Sequence, residues 1–102
     1  MDTARHDLEP APTRVSGVAS RAVVRLLSER GVPANELVVT RAERHDAGER
    51  ASWVVTVLRG RAKASHEFPP ELVDRVLARG PCQEWYTEVS RLLQAAGVAF
   101  PA

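Results

Sequence analysis

The stretch that decides the fold is LVVTRAERHDAGERASWVVTVLRGRAK, residues 37–63. Two runs of β-favouring residues flank His45-Asp46-Ala47-Gly48, and together they predict a β-hairpin. A type I turn with Gly48 at the left-handed bulge position sets His45 opposite Glu49. That register places Arg41 across from Trp53, Val39 from Val55 and Leu37 from Val57. One face of the ribbon then reads Leu37, Val39, Arg41, Trp53, Val55, Val57. The other reads Val38, Thr40, Ala42, Val54, Thr56, Leu58. The first face is bulkier and is expected to meet the core.

The second face carries no charge, although solvated strand faces normally do. Strand residues such as Val54 and Leu58 that are apolar beside an apolar core face call for a helix or a partner to cover them. A two-stranded sheet is also only marginally stable in water. The hairpin therefore needs completion by a third strand near Arg61–Phe68, by a second copy of the chain, or by a bound peptide.

Helices are expected on both sides of the hairpin. Ala19, Ala22, Val23, Leu26 and Leu27 recur at helical spacing over about Ser16–Arg30, and Gly31-Val32 followed by Pro33 ends that run. Leu72, Val73, Val76 and Leu77 form the stripe of a second helix, about Pro70–Arg79, stopped by Gly80. Trp85, Val89, Leu92, Leu93 and Ala96 line a third, about Cys82–Ala96, which leaves through Gly97-Val98. The two Arg-Leu-Leu runs that lead into Gly-Val are read as one helix-ending device used twice, not as an internal repeat. Residues 1–14, with Pro10, Ala11 and Pro12 and little apolar content, are expected to form an N-terminal arm. The expected fold class is α+β: one domain over residues 15–102, helix–β-hairpin–helix–helix, with the helices on one face of a short antiparallel sheet.

Composition limits the function. At 102 residues and 44% apolar content, the chain has enough material for one core and not for two. A net charge of +1 argues against wholesale nucleic-acid or membrane binding, which bulk charge usually reveals. The charge is unevenly placed, however. Residues 41–66 hold Arg41, Arg44, Arg50, Arg59, Arg61 and Lys63 against Glu43, Asp46 and Glu49, while the flanking segments are balanced or acidic. Of the fourteen basic residues thirteen are arginine, which with abundant Ala and Val fits GC-rich coding better than selected guanidinium chemistry. One cysteine, Cys82, leaves no internal disulfide framework and fits a reducing compartment. No apolar run reaches membrane-spanning length and the first residues lack the order of a signal peptide, so a cytoplasmic location with no membrane partner is expected.

The chain carries no constellation that names a reaction. His6, His45 and His66 have no neighbouring ligands at metal-binding spacing, and neither a metal nor another cofactor is expected. Cys82 falls near the first turn of a helix, where the dipole favours a thiolate. Thiol chemistry would require His66 as its base, and a small apolar residue beside Pro81 is the simpler account. Glu84 and Glu88 lie one helical turn apart and read as a solvated face. An enzyme is therefore not expected.

Two readings of function remain. The first is a non-catalytic protein-interaction or docking module that uses the hairpin edge and its Val/Thr face. Val38, Thr40, Val54, Thr56 and Leu58 would make contact with a protein partner or a second copy, and Arg59 and Arg61 would select for acid. The second is a small nucleic-acid-binding regulatory protein that uses Arg41, Arg44, Arg59, Arg61 and Lys63 as a basic ribbon. Arg59, Arg61 and Lys63 share strand parity in that reading, with Gly60 allowing close approach of a backbone. It requires those five residues to form one exposed stripe.

In order of elements, Leu26-Leu27-Ser28-Glu29-Arg30-Gly31-Val32, the hairpin and Pro70-Glu71-Leu72-Val73 resemble the β-hairpin docking domains at the start of modular peptide and polyketide synthetase subunits. The resemblance covers roughly residues 20–80. It implies binding of a short acidic or apolar segment from the tail of a preceding subunit. The chain departs from that pattern in its longer hairpin, its N-terminal arm and its third helix.

Overall fold

Alternation of buried and half-buried residues along 52–58 makes the second strand the centre of the molecule. The computed structural model describes residues 11–33, 36–47 and 50–98. Their order is α1 (Ala11–Glu29), β1 (Val38–Ala47), β2 (Arg50–Arg59), β3 (Ala62–Phe68), α2 (Pro70–Arg79) and α3 (Gln83–Ala95). The strands form one antiparallel meander, β1-β2-β3, with β2 in the middle. The fold class is α+β, as expected, and the completing element is the chain's own third strand. Gly60 and Arg61 connect β2 to β3, since Arg59 pairs with Ala62. Gly60 takes φ +62°, the left-handed geometry that a two-residue hairpin turn requires at its first position.

The hairpin register differs from the expected one by three residues along most of its length. β1 runs on to Ala47, so His45 pairs with Ser52, Arg44 with Trp53 and Arg41 with Thr56. The four-residue turn His45–Gly48 is not formed, because His45, Asp46 and Ala47 lie in the ladder. Gly48 and Glu49 lie outside the described residues. Nearer its start, β1 pairs Val39 with Val57 and Val38 with Leu58, and a bulge between Val39 and Arg41 absorbs the mismatch. One extra residue in one strand reverses its facing from that point on. Leu37 and Val39 face the helices as expected, but beyond Thr40 it is Ala42 that is buried, and Arg41 that is exposed. The bulge thus keeps a guanidinium out of the core, where an unpaired charge is costly.

All three helices bury their stripes against the face that carries Trp53, Val55, Val57 and Phe68. Helix α1 buries Val15, Ala19, Ala22, Val23, Leu26 and Leu27, and lies against β1 and α3. It starts at Ala11, so residues 11–14 belong to the helix and not to an arm; residues 1–10 lie outside the described residues. Pro12 is tolerated there because first-turn N–H groups have no intrahelical acceptor to lose. Helix α3 covers β3 through Trp85, Val89, Leu92 and Leu93. The Phe68 ring stands 5.0 Å from that of Trp85 and 5.1 Å, edge-on, from that of His66.

Helices α1 and α3 end in the same way. Val32 N–H donates to Leu27 O and Gly31 N–H to Ser28 O; Val98 N–H donates to Leu93 O and Gly97 N–H to Gln94 O. Each pair satisfies carbonyls left open at the helix end and turns a valine toward the core. Among the described residues no helix is long and apolar enough to cross a membrane.

Phe68 has no exposed surface and joins β3 to α3, whereas Val38 is 55% exposed on the opposite face. Phe68→Ala is expected to lower the unfolding free energy by about 3–5 kcal/mol in urea titrations, and Val38→Ala to change it by no more than about 0.5 kcal/mol.

Candidate functional site: the open face of the sheet

With the helices all on one side, the other side of the sheet has no cover among the described residues. Alternation brings its side chains into rows, three of which span all three strands, with His45 and Ser52 as a further row toward the β1–β2 turn. Val38, Leu58 and Lys63 form the row next to the β2–β3 turn; Arg41, Thr56 and Ser65 form the middle row; Glu43, Val54 and Glu67 form the third. Thr40, the bulge residue, joins the middle row and is exposed. Its Oγ1 donates to Thr56 O at 3.3 Å. The Thr56 and Ser65 hydroxyls are 2.8 Å apart and hydrogen-bonded to one another, which ties β2 to β3 on this surface. Val54, Thr56 and Leu58 are half-buried by their neighbours.

Five of the residues expected to contact a partner, Val38, Thr40, Val54, Thr56 and Leu58, therefore do share one surface. Ala42, expected beside them, is on the helix side for the reason given above. Arg59 is also on that side. Its guanidinium donates through Nη1 to Ala96 O at 3.3 Å and through Nη2 to Glu36 at 3.4 Å. A cation there satisfies an open carbonyl at the C-terminal end of α3 and complements the helix dipole. A Cβ at Gly97 would lie 3.3 Å from Arg59 Nη1, a tight contact from which the guanidinium would shift by a few tenths of an ångström. Arg61 is in the turn and exposed.

The basic residues do not form a single stripe. Arg41 and Lys63 are on the open face, Arg44 and Arg59 have the opposite parity, and Arg59 and Lys63 are on different strands, separated by the turn. Three of the five are matched by carboxylates: Arg41 with Glu43 at 2.6 Å, Arg44 with Asp46 at 3.3 Å and Arg59 with Glu36. His45 Nε2 is also within 3.9 Å of Glu43. Sequence inspection alone missed Ser65 and Glu67 as members of the face. The alternation of Lys63-Ala64-Ser65-His66-Glu67-Phe68 carried that signal once the segment was known to be a strand.

On the helix side, the groups weighed for chemistry have structural partners. His66 Nε2 is 2.8 Å from Glu88 Oε1, and Glu88 also receives Arg91 at 3.1 Å, so the trio bridges β3 to α3. The His66 hydrogen bond therefore goes to Glu88 and not to Cys82. Cys82 is the N-cap residue of α3 without a side-chain cap bond, and it packs on the core. Glu84 pairs with Arg75 of α2 at 2.9 Å across the mouth of a groove between α2 and α3. Arg25 on α1 donates to the Tyr86 hydroxyl at 3.0 Å and lies over its ring, 4.9 Å from the centroid. That hydrogen bond, with Glu29 adding to it, holds the Arg25 pKa above its ordinary value.

No protein-family model matches the chain, and neither a curated protein nor a solved structure is significantly similar to it. The reading of function rests on the geometry.

Arg59 and Arg61 separate a structural from a recognition role. Arg59→Met is expected to cost about 1 kcal/mol in chemical denaturation through loss of the Ala96 hydrogen bond. Arg61→Ala should stay within about 0.5 kcal/mol.

Proposed function

We propose that this chain is a non-catalytic protein-interaction module that presents the open face of its sheet to a partner. The observation that supports this is the one-sided cover among the described residues: their three helices lie on one face, and Val38, Val54 and Leu58 stand with Thr40 and Thr56 on the other. Valine and leucine on an uncovered sheet face are stabilised when a partner removes them from water, and flanking hydroxyls supply directional contacts. The sheet has two edges, β1 and β3, so strand addition at β1 is a neighbouring mode of recognition for the same module. The order of elements that resembles synthetase docking domains agrees with a docking role. Here a third strand stands between the hairpin and α2.

The test is site-specific photo-crosslinking in the cells that produce the protein. A photoreactive side chain at Thr40, on the open face, is compared with one at Ser28, exposed on α1. A discrete protein adduct from position 40 that disappears with Leu58→Asp, and none from position 28, is the expected result. Equal adducts at both positions, or none at either, would refute the reading. An adduct with nucleic acid would replace it with the basic-ribbon reading.

A further inference from the structure

The charges of the open face have a pattern that the aliphatic residues alone do not reveal. Arg41 and Glu43 neutralise one another on β1. Lys63 and Glu67 on β3 are both exposed, and neither has an ion-pair partner among the described residues. They have opposite sign and stand at equal distances on either side of Ser65, two residues away in each direction. On the adjacent strand Leu58, beside Lys63, and Val54, beside Glu67, stand in the same way on either side of Thr56. On β2 and β3 these rows are therefore palindromic about Thr56 and Ser65 in apolar character and antisymmetric in charge.

An isologous pair brings one patch against itself, so symmetry decides which residues meet. A two-fold axis that crosses the strands along the middle row lays Lys63 over Glu67 of the second copy, and Glu67 over its Lys63. The same operation lays Leu58 over Val54 and Val54 over Leu58, with the Thr56 and Ser65 hydroxyls near the axis. On β1 it lays Val38 over Glu43 of the second copy and brings Arg41 to the axis opposite Arg41, each guanidinium held by the Glu43 of its own chain. A two-fold axis parallel to the strands gives neither Lys63 nor Glu67 an opposite charge: it lays Glu67 over Glu43, which is already paired with Arg41, and leaves Lys63 over Val38. Charge complementarity thus selects the first arrangement and a second copy of this chain as its occupant.

We infer that the chain forms a homodimer by face-to-face packing of its open sheet, with reciprocal Lys63–Glu67 pairs flanking a Leu58–Val54 core. The inference rests on the reading of this face as an interaction surface. Aligned sheets pack about 10 Å apart with strands within about 30° of one another, and side chains the size of Leu, Val and Thr fill such a gap.

The test is molar mass by light scattering together with dimer dissociation by sedimentation, on the full chain from micromolar to millimolar concentration. Wild type is compared with Lys63→Glu, Glu67→Lys and the double exchange; these are exposed positions, and circular dichroism checks their folding. Wild type is expected at twice the chain mass of 11.2 kDa. Each single exchange turns two attractive pairs into two repulsive ones and should raise the dissociation constant roughly tenfold or more. The double exchange restores opposite charges at both pairs and should return the constant to within about threefold of wild type. A monomer throughout the range would overturn the inference, and so would a dimer indifferent to the single exchanges, which would point to edge pairing through β1. A monomer whose position-40 adduct contains a different protein would refute the second copy and leave the interaction surface standing. A monomer without adducts would refute both.

Discussion

Everything in this molecule depends on the burial of one side of β2. Trp53, Val55 and Val57 come from alternate positions of the central strand, and Phe68 joins them from β3. These residues offer more apolar surface than a hairpin can hide, and three amphipathic helices close over it. The period of two in the strand and the period of about 3.6 in the helices meet on that single surface. Once it is covered no helix among the described residues remains for the reverse side, and the second face of the sheet has no cover among them.

The bulge at Thr40 reconciles β1 with that demand. Leu37 and Val39 suit the core, and so does Ala42, but an uninterrupted strand beginning from Leu37 would turn Arg41 inward and Ala42 outward. One additional residue resolves the conflict, and the Arg41 guanidinium settles 2.6 Å from Glu43 on the open side. The same extra residue places Thr40 and Arg41 on one surface, next to Thr56. A local correction for packing thereby shapes the surface to which function is assigned.

Polar groups at the margins of the core hold the layers in register. Arg59 reaches from the end of β2 to the last turn of α3, and the His66–Glu88–Arg91 trio fastens β3 to the same helix near its middle. Arg25 and Tyr86 join α1 to α3. Arg59, His66, Glu84 and Glu88, candidates for recognition or catalysis when read along the chain, are here occupied in joining elements. Among the described residues, the surface formed by Val38, Thr40, Val54, Thr56 and Leu58 is left uncovered, and Lys63 and Glu67 beside it have no ion-pair partner.

The sequence by itself determined the three helices, their ends at Gly31, Gly80 and Gly97, the hairpin, and the core side of β2. Each is a local matter: periodicity selects the face of an element, and glycine or proline stops it. Five residues of the candidate surface were legible for the same reason, because β2 alternates without interruption and Val38 lies before the bulge. The register of β1, the true extent of the turn and the place of Arg59 were decided only by tertiary structure. Pairing energy is spread along the whole ladder and depends on which slip keeps charge out of the core, so a turn signal at His45–Gly48 could not fix it. The role of Arg59 required a carbonyl at the end of α3, 37 residues away in the chain. No pattern along the chain reveals such a partner, because the contact exists only after the helix has packed on the sheet.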